Sequence, residues 1–198
     1  ASNYTEVASW FRLTIDLRMV NAATIPEPFP MPSTTIAKEN CKESRFFCVS
    51  DLADAFFSVK LRPSDYGKTG FTTHDSQFVF KVMPQGAINA ARQFSRIATA
   101  AFDGVPLSVI CPFQDDTLNH AKLLVTSLKN QQLLYDCTRQ AQLILKVSKT
   151  TLGYPSAKFL GHIHSQHGRT PDPALVSAVL DIAIPTDATH VRHLLGLV

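Results

Sequence analysis

Residues 107–121 read LSVICPFQDDTLNHA, two short apolar runs separated by a doubled acid, Asp115-Asp116. Short apolar runs bounded by turn-forming residues predict buried strands. Along the first run Val109, Cys111, Phe113 and Asp115 alternate, so an apolar face ends on a carboxylate. The stretch SRFFCVSDL, residues 44–52, repeats the pattern, with Phe47, Val49 and Asp51 on one face. A carboxylate at the core side of a strand end needs a partner or a cation, because burying it bare costs several kcal/mol or more. Two adjacent carboxylates and a third brought alongside by sheet pairing repel one another, and a hard divalent cation relieves that repulsion. Mg²⁺ typically takes one or two protein carboxylates together with substrate phosphates. The chemistry that uses such a cluster is phosphoryl or nucleotidyl transfer by two metal ions. Spacing leaves plainer readings open: a solvated turn for the double Asp, and a helix cap for LADAFF in the case of Asp51.

Outward from these strands the pattern is mixed. After Gly86, residues Ile88, Ala91, Phe94, Ala98, Ala101 and Phe102 recur at helical spacing, with Arg92 and Arg96 one turn apart on another face. A second helix is predicted over about 121–144, on the spacing of Leu134, Cys137, Ala141 and Ile144. Residues 68–84 predict a hairpin, KTGFTT, then the turn HDSQ, then FVFKVMP with Phe78, Phe80 and Val82 facing inward. Prolines at 26, 28, 30 and 32 forbid helix and favour an extended polyproline-II connector. The tail offers a strand KFLGHIH, a turn near Gly168, and helical starts at Pro173 and Asp187. Irregular interleaving of strands and helices, with hairpins, predicts an α+β fold with helices on one face of a mainly antiparallel sheet.

Composition narrows the class without deciding it. The 198 residues are 45% hydrophobic and 18% charged, enough for a sizeable core and unlike a disordered tail. Nineteen Lys and Arg against 16 Asp and Glu give a net charge of +3, with no polybasic block to announce a nucleic-acid binder. No apolar run approaches the roughly 18–20 residues that span a bilayer, and the N-terminus has no signal-peptide core. An intracellular protein without a membrane partner is therefore expected. The four cysteines, at 41, 48, 111 and 137, lack CxxC spacing and are read as reduced structural thiols. Both ends of the sequence read as cut.

Seven blocks then fall in register. DLRMVN (16–21), PFPMP (28–32), SDLADAFFSVKL (50–61), KTGF (68–71), VMPQGAINA (82–90), FQDD (113–116) and KFLGH (158–162) come in one order over nearly the whole chain. Together they resemble a reverse transcriptase of the gypsy-type long-terminal-repeat retrotransposon branch, which is related to retroviruses. The resemblance implies the fingers and palm of a right-hand polymerase, with an antiparallel palm sheet packed on helices. Residues 1–25 and 61–84 would belong to the fingers, 26–60 and 85–173 to the palm, and 174–198 to the truncated start of the thumb or connection.

It further implies RNA-directed DNA polymerase activity, adding dNTPs to a primer 3′-OH on an RNA or DNA template. Thumb and RNase H portions of the same polyprotein would be partners. Two Mg²⁺ ions, or Mn²⁺ in their place, would be held by Asp51 and Asp115 with Asp116 beside them. The dNTP would lie along Leu52, Asp54 and Ala55, with Phe56 under the sugar as the bar to a 2′-hydroxyl. Gln85 would reach the sugar, Gly86 would allow close backbone approach, and Arg12 would grip the triphosphate. Lys149 matches a lysine proposed to protonate departing pyrophosphate; Leu160 and Gly161 match the primer grip; Arg92 and Arg96 are candidate template contacts. Plainer roles stand beside these: a core aromatic for Phe56, a solvated lysine for Lys149, a solvated helix face for the two arginines.

The chain departs from the family pattern in several places. Phe113 stands where tyrosine is usual, and Gln114 is larger and more polar than the residue common there. Pro112 falls in a strand expected to be internal, where a bulge would have to absorb it. No lysine precedes Arg12, and Ala91 replaces a customary proline. A catalytically inactive or domesticated nucleic-acid-binding remnant is the alternative these departures motivate. A nucleotidyl cyclase on a similar palm would need a GG[DE]EF-type signature, which is absent.

Overall fold

The computed structural model describes residues 13–28, 41, 43–181, 187, 188, 190 and 191. At its centre lies a four-stranded sheet of β1 (Phe46–Asp51), β4 (Ile110–Phe113), β5 (Asp116–Ala121) and β6 (Thr151–Tyr154). The spatial order is β4-β5-β1-β6, with every neighbouring pair antiparallel. Register is continuous along β1 and β5, from Phe46 opposite Ala121 to Asp51 opposite Asp116. Between β1 and β6 it shifts at Gly153, whose φ of +66° lets the chain bulge and whose amide reaches Cys48 Sγ at 3.1 Å.

The pleat separates two layers. On one side Ile110 packs with Phe102 and Leu134, contributed by α2 (Ala90–Ala101) and its C-cap and by α3 (Leu124–Gln140). On the other side Phe47, Cys111 and Leu118 meet Ala157 and Phe159 of a smaller sheet. That sheet is β7 (Ser156–Phe159), β8 (His162–Ser165) and β9 (Gly168–Pro171), two successive antiparallel hairpins. A third cluster sets Leu52, Ala55 and Met83 against Ala90, Phe94 and Ala98. Among the described residues two short helices lie outside these layers in sequence, α1 (Arg18–Ala23) and, after the small sheet, α4 (Pro173–Leu180). α4 starts at Pro173, as the sequence predicts, and Asp172 caps it through the Ala174 amide.

The α+β architecture with antiparallel pairing agrees with the sequence reading, and so does the shared face of Phe47, Val49 and Asp51. Several local expectations need correction. Pro112 lies on β4, the outer strand, where proline is tolerated, and it pairs with Thr117 without a bulge. The series ending on Asp115 stops at Phe113, because Gln114 and Asp115 form the turn; Asp116, not Asp115, stands opposite Asp51.

The second helix starts at Leu124, after β5, and ends at Gln140. Its end is a Schellman arrangement, with Leu143 N–H donating to Thr138 O, Gln142 N–H to Arg139 O, and Gln142 at φ +57°. Ile144 is thereby turned to solvent, 66% exposed. Ile88 precedes α2 and is also exposed.

The hairpin in 68–84 shrinks to two residue pairs, Phe71 with Phe78 and Thr72 with Gln77 in β2 (Phe71–Thr72) and β3 (Gln77–Phe78). Phe78 faces outward and stacks on Phe71 at 5.7 Å. KFLGHIH is no single strand but the turn between β7 and β8. Of the proline connector only residues 26–28 are described.

Candidate active site

The described end of the main sheet nearest the β4–β5 turn brings the acidic residues together. Asp51 closes β1, is buried, and lies opposite Asp116 in the antiparallel register. Asp115 is exposed in the turn, and its carbonyl accepts the Leu52 amide at 2.7 Å, tying the two strand ends together. The turn has only two residues between paired Phe113 and Asp116, so Gln114 takes φ +52°. A non-glycine residue held there stores roughly 1–2 kcal/mol.

Positive φ marks the expected site elsewhere too: Asp54 at +48°, Gly86 at +90°, Leu160 at +50° and Gly161 at +72°. Leu160 and Gly161 form the two-residue turn of the β7–β8 hairpin, where positive φ at both positions matches the strand twist. Leu160 also packs against the Phe47 cluster.

Beside the acids, Asp51, Leu52, Ala53, Asp54, Ala55, Phe56, Gln85, Asp115, Lys146 and Lys149 line one cleft of about 260 Å³. Lys149 Nζ lies 2.5 Å from Asp51 Oδ2. The hydrogen bond to Asp51, followed by the charge of Asp51, raises the Lys149 ammonium above the usual lysine range. Burial comes first in raising the Asp116 carboxyl above the usual range, then repulsion from Asp115 and Asp51, with Lys149 pulling the other way. The cluster thus holds more negative charge than its one ion-paired lysine offsets. Among the described residues no group of three His, Cys, Asp or Glu side chains is placed to hold a metal ion by itself. A pair of carboxylates on an open cleft is instead the donor set of a site completed by substrate oxygens, so these residues fit hard divalent cations.

Other expected residues are placed less simply. Phe56 lines the cleft and also packs edge-on against Phe94 with centroids 5.9 Å apart, so both readings of it describe one geometry. The Leu52 and Ala53 amides already donate to Asp115 O and Ile144 O, which removes them as phosphate donors. Gly86 has nothing within 4 Å of a would-be Cβ; its φ, not close protein packing, calls for glycine. Arg92 and Arg96 both engage Glu27, although Arg96 stays exposed: Arg92 Nη1 donates to Glu27 O at 2.7 Å, and Arg96 pairs with the Glu27 carboxylate. Arg12 lies outside the described residues.

Three features were not read from the sequence as site features. Lys146 lines the cleft and donates its amide to Asp51 O at 2.8 Å. Asn21 clamps the Gln85-Gly86 turn, donating to Gly86 O and accepting from Ile88 N, each at 2.9 Å. Its place in DLRMVN was the available signal. Ser50, Asn119 and Gln131 form a buried polar chain behind the carboxylates; Ser50, inside the apolar run of β1, was the one hint of it.

An antiparallel sheet backed by two helices, with acids at adjoining strand ends beside an open cleft, defines the palm of a polymerase-type fold. Residues 6–164 match the family model described as "Reverse transcriptase (RNA-dependent DNA polymerase)". The chain belongs to this reverse transcriptase family. It is 29% identical over 190 residues to the retrovirus-related Pol polyprotein from transposon 297 of Drosophila melanogaster, covering 96% of the chain and 18% of that protein. It is 30% identical over 190 residues to the corresponding polyprotein from transposon gypsy of the same organism, covering 94% of the chain and 18% of the relative. The chain therefore spans about a fifth of the curated relatives it matches.

Solved structures share the fold. A foamy viral protease-reverse transcriptase in complex with double-stranded DNA superposes with TM-score 0.84 at 22% identity, covering 94% of this chain and 32% of the other. One in complex with an RNA/DNA hybrid gives 0.78 at 21% identity, covering 92% and 25%.

Proposed function

We propose that this chain is the polymerase core of a retrotransposon Pol polyprotein and adds dNTPs to a primer 3′-OH on an RNA or DNA template. The observation that carries the reading is the juxtaposition of Asp51 and Asp116 across β1 and β5, with Asp115 in the adjoining turn. Residues 26–60 and 85–173 act as the palm and residues 61–84 as part of the fingers. Asp51 and Asp115 hold two divalent cations, Mg²⁺ or Mn²⁺, with Asp116 beside them; when bound, the cations supply charge stabilisation to the attacking and leaving oxygens.

The chain's own groups do the rest. Phe56, braced by Phe94, presents its ring to the sugar and excludes a 2′-hydroxyl. Gln85 is held at the cleft by the Asn21 clamp on the following residues. Lys149 keeps its proton on Nζ at the cleft, where a developing negative charge can receive it. The Leu160-Gly161 turn sets the primer end for in-line attack. Duplex is held by shape and phosphate contacts, as suits an enzyme that copies any sequence.

The test is Mg²⁺- or Mn²⁺-dependent dNTP incorporation on an RNA template with a DNA primer, comparing the wild type with Asp115→Asn. Incorporation that disappears in the variant supports the reading; incorporation unaffected by it sinks the catalytic assignment. Phe56→Ala adds a finer check, since unchanged discrimination against rNTPs removes the sugar role.

A further inference from the structure

On the helix side of the main sheet, directly behind the carboxylates, Gln131 of α3 reaches both strands that carry them. Its Nε2 donates to Ser50 Oγ at 3.0 Å, and its Oε1 accepts from Asn119 Nδ2 at 2.6 Å. Ser50 immediately precedes Asp51 on β1, and Asn119 lies on β5 three residues beyond Asp116. Thr117, next to Asp116, closes the link by donating its hydroxyl to Ser50 O at 3.1 Å. Ser50, Thr117 and Asn119 are 0% exposed and Gln131 is 2% exposed. We propose that Gln131 is a positioning residue, which fixes β1 against β5 through Ser50 and Asn119 and so sets the placement of Asp51 relative to Asp116.

Three buried amide and hydroxyl groups occupy sites where apolar side chains would pack without desolvation, and Asn119 Oδ1 has no hydrogen-bond partner. An interface chosen for stability alone would be apolar. What hydrogen bonds add is direction: apolar packing lets a helix slide over a sheet, whereas two bonds from one planar amide fix it to both strands at once. A reacting centre needs its groups held within roughly 0.5 Å, and supporting groups behind metal ligands are commonly worth 10–100-fold in metal affinity. Each carboxylate faces away from α3, so the network acts on it only through the backbone of β1 and β5. The inference rests on the polymerase reading for its consequence, but the strand-fixing claim stands on the geometry.

The test compares the 198-residue wild type, Gln131→Met, and the triple variant Ser50→Ala/Asn119→Leu/Gln131→Met. The single variant leaves two more buried groups unpaired and lowers Tm by roughly 4–24 °C. The triple leaves none and melts at or above the wild-type temperature. Mn²⁺ binding followed by electron paramagnetic resonance weakens roughly tenfold or more in both, and amide exchange at Ser50 and Thr117, paired across the β1–β5 seam and measured without metal, speeds up in both. Wild-type Mn²⁺ affinity and wild-type exchange in a stably folded triple variant overturn the proposal. If the triple does not fold, the single decides by the same two readouts. Asp115→Asn is the separate control: wild-type Mn²⁺ binding that survives it counts against the polymerase reading, and exchange at Ser50 and Thr117 then decides the positioning claim alone.

Discussion

Acidification should destabilise the fold through His120 by an amount that can be worked out from its surroundings. His120 sits on β5, facing the small sheet, and is 7% exposed. Its ring lies 6.2 Å from Phe47, and its Nδ1 is 2.9 Å from Ser44 Oγ. Burial first, and then the neighbouring charge of His164, pushes the imidazole down to about 4 from an ordinary value near 6.5. Above pH 6.5 neither folded nor unfolded chain carries the proton, and stability is flat. Below it the unfolded chain takes up a proton that the folded state refuses until about pH 4, so stability falls as pH falls through that window. A gap of about 2.5 in pKa at about 1.4 kcal/mol per unit amounts to about 3.5 kcal/mol at most. Urea denaturation at pH 7.5, 6, 5 and 4.5, on wild type and His120→Gln, isolates this contribution from that of carboxylates such as Asp65 and Asp172, which also weaken the fold in acid. The wild-type curve should fall by about 2 kcal/mol more than the variant's between pH 7.5 and 5. Parallel curves for the two proteins would refute the reasoning.

Three further outcomes follow from packing, backbone and charge. Phe94, 1% exposed and in edge contact with Phe56, should cost about 3–5 kcal/mol on Phe94→Ala by thermal denaturation. That loss should come with a raised KM for dNTP as Phe56 loses its brace. Gly161→Ala, with φ +72° and a Cβ only 3.0 Å from Leu175 Cδ1, should lower stability more than Gly104→Ala, where φ is +77° in open space. The backbone term alone is about 1–2 kcal/mol in each, and equal losses would show that the Leu175 contact does not matter. With a net charge of only +3 and two arginines engaged by Glu27, the isolated chain should bind RNA/DNA duplex weakly. Binding should drop roughly tenfold to a hundredfold between about 50 and 200 mM salt, as for two to four phosphate contacts; affinity indifferent to salt in a titration would contradict this.

Local periodicity made the strand Phe46–Asp51, the helix Ala90–Ala101 and the central acids legible in the sequence, because apolar alternation and helical spacing report directly on burial. What it could not report was geometry set by contacts distant in sequence. Leu134 is visible as a core residue, but α3 buries Ser127 and Gln131 beside it, since their partners Cys48 and Ser50 lie about eighty residues earlier on β1. The helix end at Gln140 was hidden because its left-handed cap position is Gln142 instead of glycine. Pro112 misled for a similar reason: only the strand order shows that β4 is an edge. Arg92 and Arg96 had a helical spacing that anyone could read, yet Glu27, their partner, lies more than sixty residues away.

The central question is whether the acids at the ends of β1 and β5 carry nucleotidyl transfer. Single-nucleotide extension of a DNA primer on an RNA template, with Mg²⁺, by wild type and a folded Asp51→Asn variant measures that directly. Extension by the wild type that falls to background in the variant, at unchanged Tm, is the expected result; equal extension by both proteins would contradict it.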